Sequence, residues 1–152
     1  MIKISIVTIV KEIKEIHPEY ITLIKSGKFY RIYGKDAYII SYLFKDKIKV
    51  EGEIVSSGFP VESLKRVQSI LENKKINYII LDSRTNYIIE EKEDFKNLNN
   101  YSEFYQKSKI YVNNQKKINA IYDYLDKNSN KEELKKILTE IERIISINNT
   151  KK

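Results

Sequence analysis

Cysteine and tryptophan are absent from this 152-residue chain, and histidine and methionine occur once each. Without cysteine there is no disulfide framework and no thiolate metal site, so an intracellular, cytoplasmic protein is expected. Only four glycines and two prolines are present. Long apolar runs are missing as well. The apolar opening, residues 1–10, meets charge at Lys11 and Glu12, well short of the ~20 residues a membrane-spanning helix needs. It also lacks the small-residue cleavage pattern of a signal peptide. No Gly-x-x-x-x-Gly-Lys-Ser/Thr phosphate loop, no nucleophile–base pair and no internal repeat can be found. The expectation is a non-enzymatic protein without a cofactor or metal.

What is present suits a folded domain. Apolar residues make up 41% and charged residues 32%, a globular rather than disordered balance, and the length allows a real core. The formal net charge is +7. Residues 1–50 carry ten Lys/Arg against five Asp/Glu, residues 51–110 nine against ten, and residues 111–152 nine against six. The excess sits at the two ends, and a basic face favours polyanions, nucleic acid first.

The densest stretch is Ser26-Gly27-Lys28-Phe29-Tyr30-Arg31-Ile32-Tyr33. Tyr20–Ile24 is rich in β-branched and aromatic residues, as strands are. With a three-residue turn at Ser26-Gly27-Lys28 and a second strand, Phe29–Tyr33, it predicts a hairpin. Alternation places Phe29, Arg31 and Tyr33 on one face and Tyr30 and Ile32, expected to be buried, on the other. Ahead of the hairpin, residues 2–6 alternate as a strand. A helix from about Thr8, with Ile9, Ile13 and Ile16 as its apolar stripe, ends at His17-Pro18.

Beyond the hairpin, Ala37, Ile40, Leu43 and Phe44 follow the helical period. Residues 47–50 and 53–57 read as short strands about a turn at Gly52. Pro60 suits the first turn of a helix that carries Val61, Leu64, Val67, Ile70 and Leu71. Ile76–Leu81, a nearly unbroken apolar run, predicts an interior strand, and Tyr87–Glu90 a further one. Residues 91–102 have loop character. The domain division expected is 1–100 for an α+β body and 101–152 for a C-terminal helical hairpin with a short disordered tail. In the hairpin, Ile118, Ile121, Tyr122 and Leu125 form one stripe, and Leu134, Ile137, Leu138, Ile141, Ile144 and Ile145 another. Asn130 and Glu133 have the spacing of a capping box. The second stripe must pack on its partner helix, on the α/β body or on a second chain.

His17-Pro18-Glu19-Tyr20, the strand 21–25, Gly27-Lys28-Phe29-Tyr30-Arg31-Ile32-Tyr33 and Asp36-Ala37 resemble the start of the DNA mismatch-repair protein MutS. Gly58-Phe59-Pro60, the helix after it and the strand Ile76–Asp82 are similar to later parts of the same domain. The similarity covers about residues 8–92. It implies the fold of MutS domain I, a mixed β-sheet flanked by helices, here as a small stand-alone relative without the family's ATPase, connector, lever or clamp.

In the family the motif phenylalanine enters the minor groove and stacks on an unpaired or mispaired base, and a glutamate two residues on hydrogen-bonds that base. By position Phe29 matches the phenylalanine, but Arg31 stands where the glutamate would, and Lys28 replaces an aspartate. A carboxylate accepts hydrogen bonds, whereas a guanidinium only donates. Both changes favour phosphates over selective mismatch reading.

The nucleic-acid-binding candidates are therefore Phe29, Arg31, Lys28, Tyr33, Lys25 and Lys35; Lys45, Lys47 and Lys49 read either as further phosphate contacts or as ordinary surface lysines, and only the cluster near the turn is expected to bind. Phe29 reads either as an exposed stacking residue or as a core aromatic of the hairpin. His17, before a proline at a helix end, reads as structural. The carboxylates Glu51, Glu53, Glu90, Glu91, Glu93 and Asp94 read as solvated loops rather than a metal site. DNA or an RNA–DNA hybrid is the expected ligand. Small proteins similar to this domain occur beside bacterial reverse-transcriptase cassettes that diversify genes, so a reverse transcriptase or repair protein is an expected partner, and a homodimer through the C-terminal helices another. The alternative is a protein-interaction module that keeps the fold without nucleic-acid contact.

Overall fold

The frame is set by the hairpin. In the computed structural model, which describes residues 5–51, 53–96 and 99–150, strands β1 (Ile21–Ser26) and β2 (Phe29–Tyr33) pair antiparallel. Ser26 lies opposite Phe29, so the loop is two residues, Gly27-Lys28, rather than the three expected. Gly27 has φ +64 and Lys28 is not in the left-handed region. A glycine with positive φ at the first loop position is the pattern of a type II′ turn, whose twist matches that of paired strands.

Four more strands complete a mixed six-stranded sheet: β3 (Lys49–Glu51), β4 (Ile54–Pro60), β5 (Tyr78–Asp82) and β6 (Ile88–Glu93), in the order β3-β4-β2-β1-β5-β6. Only β1 and β5 run parallel. β5 is buried along its whole length because both faces are covered. Tyr78 and Ile80 enter one cluster, Ile79 and Leu81 another. The first cluster lies under helices α2 (Lys35–Phe44) and α3 (Leu64–Asn73) and takes Tyr30, Ile32 and Phe59 from the sheet. The second is smaller: Ile24, Ile79 and Leu81 pack against Ile6, Val10 and Ile13 of α1 (Ile6–Ile16).

Several expectations shift. Residues 2–4 of the expected first strand lie outside the described residues, and Ile6 opens α1 instead, capped by the Ser5 hydroxyl, which accepts from Thr8 N–H at 3.2 Å. Packed on Ile24, Ile79 and Leu81 of the sheet, the helix has Ile6, Val10 and Ile13 as its core stripe, while Ile16 is 73% exposed. Gly58-Phe59-Pro60 ends β4 and is followed by a 3-10 turn, Val61–Ser63, before α3. Residues 91–93, read as loop, continue β6. The expected turn at Gly52 lies outside the described residues.

The chain divides into two compact units, Met1–Val112 and Asn113–Lys152. Helix α4 (Asn100–Lys127) begins in the first and ends in the second. Its first turns supply Tyr101, Phe104 and Tyr105 to the core of the first unit. In the second unit α5 (Leu134–Thr150) starts four residues after Asn130, too far for that residue to cap it. Residues 151–152, the end of the expected tail, lie outside the described residues.

Candidate nucleic-acid interface

Strand β2 has two unlike faces. Inward, Ile32 is fully buried and the Tyr30 ring stacks on that of Phe59, with centroids 5.3 Å apart and planes 21° from parallel. These contacts fix the register, since a one-residue slip would drive Phe29 into the core and expose Tyr30. Outward stand Phe29, 52% exposed, and Arg31, also exposed, with Tyr33 half-buried. Phe29 therefore lies on the open face and not in the core.

The neighbouring strands shape that face. Arg31 is opposite Gly58 on β4, and Tyr33 is opposite Ser56, which in turn pairs with Lys49 of β3. Gly58 contributes no side chain beside Arg31. A Cβ there would stand 3.1 Å from the Tyr30 carbonyl oxygen. The outcome is a concavity of about 260 Å³ lined by Phe29, Arg31, Lys47, Lys49, Ser56 and Gly58, with no carboxylate in its lining. It offers a ring face for a base, three cations for phosphates and a hydroxyl that can donate or accept.

The other candidates are placed elsewhere. Lys28 is in the turn, where its carbonyl accepts from Val61 N–H at 3.0 Å. Lys25 pairs with Tyr30 and Asp82, so it shares the face opposite to Phe29. Lys35 has its ammonium 5.2 Å from the Tyr105 ring centre, and Lys45 lies between the rings of Tyr42 and Tyr111. Tyr33 lines a separate, largely apolar cleft of about 460 Å³ with Val7, Val10, Ile54 and Val55. His17 ends α1, its N–H donating to the Ile13 carbonyl at 2.7 Å and its ring meeting Tyr20 edge-on. Burial, then the charges of Lys92 and Lys14, lower its pKa. Among the described residues no group of three His, Asp or Glu side chains is arranged to hold a metal ion.

Two members of the concavity, Ser56 and Gly58, are not among the site candidates read from sequence. The signal was the register: alternation along β4 puts them on Phe29's side once β4 is paired with β2. Asp36, at the start of α2, is 1% exposed and anchors the frame. It accepts from Lys14 Nζ at 2.8 Å, from Thr22 N–H at 2.9 Å and from the Tyr101 hydroxyl. One carboxylate thus ties α1, β1, α2 and α4 together.

A mixed sheet with α2 and α3 on one face and α1 over part of the other, where a stackable ring and clustered cations stay exposed, defines an α+β domain with a candidate recognition site. The family model of MutS domain I matches residues 5–96, more than half of the chain. The chain belongs to that family, and membership associates it, at that coarse level, with DNA binding. No curated protein matched the chain. All of α4 and α5 lies beyond the match. No helix of the described residues is long and apolar enough to cross a membrane.

Proposed function

We propose that the protein binds nucleic acid on the open face of its sheet, as a binding protein rather than an enzyme. Phe29 stacks on a base, and Arg31, Lys47 and Lys49 hold the backbone beside it. The observation that carries this reading is the acid-free concavity in which the exposed Phe29 ring and three cations converge. Family membership supports it. Arg31 can donate to a phosphate or a base acceptor but has no acceptor of its own, so the preference is for accessible bases and backbone charge, with little discrimination of a mismatch.

The test is an anisotropy titration with matched, mismatched, single-stranded and RNA–DNA hybrid oligonucleotides at several salt concentrations. Affinity is expected to fall with salt, with a log–log slope of about −0.9 per phosphate contacted on duplex DNA or about −0.7 on a single strand. In Arg31→Glu/Lys49→Glu the slope should become shallower. Equal affinity and slope in that variant would refute the reading.

A second reading concerns the second unit alone and rests on α5. Ile137, Leu138, Ile144, Ile145 and Ile147 are each 38–53% exposed. The helix pairs Arg143 with Glu140 internally, and Lys135 pairs with Glu132 just ahead of it, so the stripe is flanked by balanced rather than one-signed charge. That suits a second copy of the same helix better than a polyanion. A protein partner such as a reverse transcriptase or repair protein is the competing occupant, and a monomer in sedimentation would favour it.

A further inference from the structure

We propose that α2 and the first turns of α4 form a second nucleic-acid-binding face, separate from the one at Phe29. Along α2, Lys35, Tyr38, Tyr42 and Lys45 recur at helical spacing, a stripe with a lysine at each end and two tyrosines between. Across from it α4 presents Phe104, Tyr105 and Tyr111. The rings meet in pairs: Tyr38 with Tyr105 at 6.0 Å, and Tyr42 with Phe104 at 6.4 Å and with Tyr111 at 5.7 Å. Four ammonium groups are seated on them. Lys45 Nζ is 4.5 Å from the centre of Tyr42 and 4.4 Å from that of Tyr111. Lys35 and Lys109 lie over Tyr105 at 5.2 and 5.1 Å, and Lys107 over Phe104 at 5.3 Å.

None of these four lysines is in an ion pair among the described residues. Glu19, which shares a cleft with Lys35 and Lys109, takes neither of them as an ion-pair partner. A free surface lysine loses much rotamer freedom when it grips a ligand. Here the aromatic face already restrains the side chain, so the cations are pre-organised and uncompensated.

The dimensions fit a polyphosphate chain. Lys35 opens α2 and Lys45 caps its C-terminal end ten residues on, about 15 Å at ~1.5 Å per residue. A strand of duplex passes a phosphate every ~3.4 Å of axis, so several fall within the stripe. At the Lys35 end a cleft of about 510 Å³, lined among others by Lys35, Ser102, Gln106, Lys109 and Glu19, supplies hydroxyl and amide donors beside the charge.

The face lies on the side of the sheet covered by α2 and α3, with Tyr30 and Ile32, while Phe29 and Arg31 point to the other. Its α4 half is outside the family match. One strand contacting both faces, or two segments held at once, follows from this placement. The proposal does not depend on the Phe29 site.

The test uses the full chain and a labelled single-stranded oligonucleotide, comparing wild type, Phe29→Ala and Lys45→Glu/Lys107→Glu/Lys109→Glu. The triple variant is expected to lose at least about tenfold in affinity, and its log–log salt slope should be shallower by about 2, from three phosphates at roughly 0.7 each. Phe29→Ala should keep the wild-type slope. The matching triple Lys→Arg variant retains both charge and ring contact and should bind as wild type, which separates lost charge from lost fold. Should Lys→Glu disturb folding, the triple Lys→Gln variant gives the same reading of slope. Wild-type affinity and slope in the charge-altered triple variants overturn the proposal, whatever Phe29→Ala does. A loss in Phe29→Ala alone would leave the open-face site and remove this one, and a loss in the triple variant alone would do the reverse. Retained nucleic-acid binding in the triple variant, with loss of an acidic protein ligand instead, would also overturn it.

Discussion

Gly27 decides where Phe29 points. Its φ of +64 is a conformation that costs an L-residue about 1 kcal/mol or more, and the two-residue turn it permits makes Phe29 the first residue of β2. Nothing lies within 4 Å of where a Cβ would be, so the penalty on substitution is conformational and not steric. Gly27→Ala should therefore lower stability by about 1 kcal/mol or more. Urea unfolding checks this, and an unchanged midpoint would contradict it. The alternation of Phe29, Arg31 and Tyr33 against Tyr30 and Ile32 was legible in sequence because strand period is strict. Which lysines join Phe29 was not. Lys25 and Lys28 are near it along the chain, but Lys47 and Lys49 reach it through the pairing of β3 and β4, which local pattern does not specify.

Among the contacts that bind helix α4 to the sheet domain is a buried polar one that no local pattern reveals. Tyr101 donates to Asp36, and burial, followed by the charge of Asp36 and that hydrogen bond, pushes the phenol far above its ordinary value of 10.0. The unfolded phenol ionises as pH passes about 10 and the folded one does not. The folded state then holds the extra proton, so this contribution to stability is complete below about pH 10 and falls as pH rises further. Urea midpoints measured from about pH 8 to pH 11 should fall more steeply in wild type than in Tyr101→Phe, which lacks the titrating group. Parallel curves would contradict the assignment. The same helix shows why the domain boundary expected near residue 100 does not coincide with the division of the structure after Val112. The loop-like composition of residues 94–99 was readable, but the capture of Tyr101, Phe104 and Tyr105 by the first core was not. The misjudged stripe of α1 has a related cause, since Ile9, Ile13 and Ile16 and Ile6, Val10 and Ile13 fit the helical period equally and only the sheet beneath chooses between them.

On the scale of the whole molecule, the fold class and the family were readable because four separated motifs occurred in the right order, a constraint that single residues lack. The two compact units carry different expectations. In the proposed reading the first binds nucleic acid on its open face, and the second, with α5 exposing its isoleucines, self-associates. Sedimentation should show a dimer whose population grows with concentration, and Ile137→Glu/Ile144→Glu should return it to monomer, since each exposed side chain buried contributes up to about 1.5–3 kcal/mol. Monomer at every concentration for the wild-type chain would exclude self-association while leaving the first unit's role intact.

The central claim rests on the Phe29 ring, and one measurement addresses it: anisotropy titration of the preferred oligonucleotide with wild type and with Phe29→Ala, alongside their melting curves. Base stacking on an aromatic side chain contributes about 1–3 kcal/mol, so affinity should fall roughly five- to a hundredfold or more while the melting temperature stays the same, because the ring is half exposed and outside both core clusters. Unchanged affinity with an unchanged fold would mean that the open face does not stack a base, and the account of this site would be wrong.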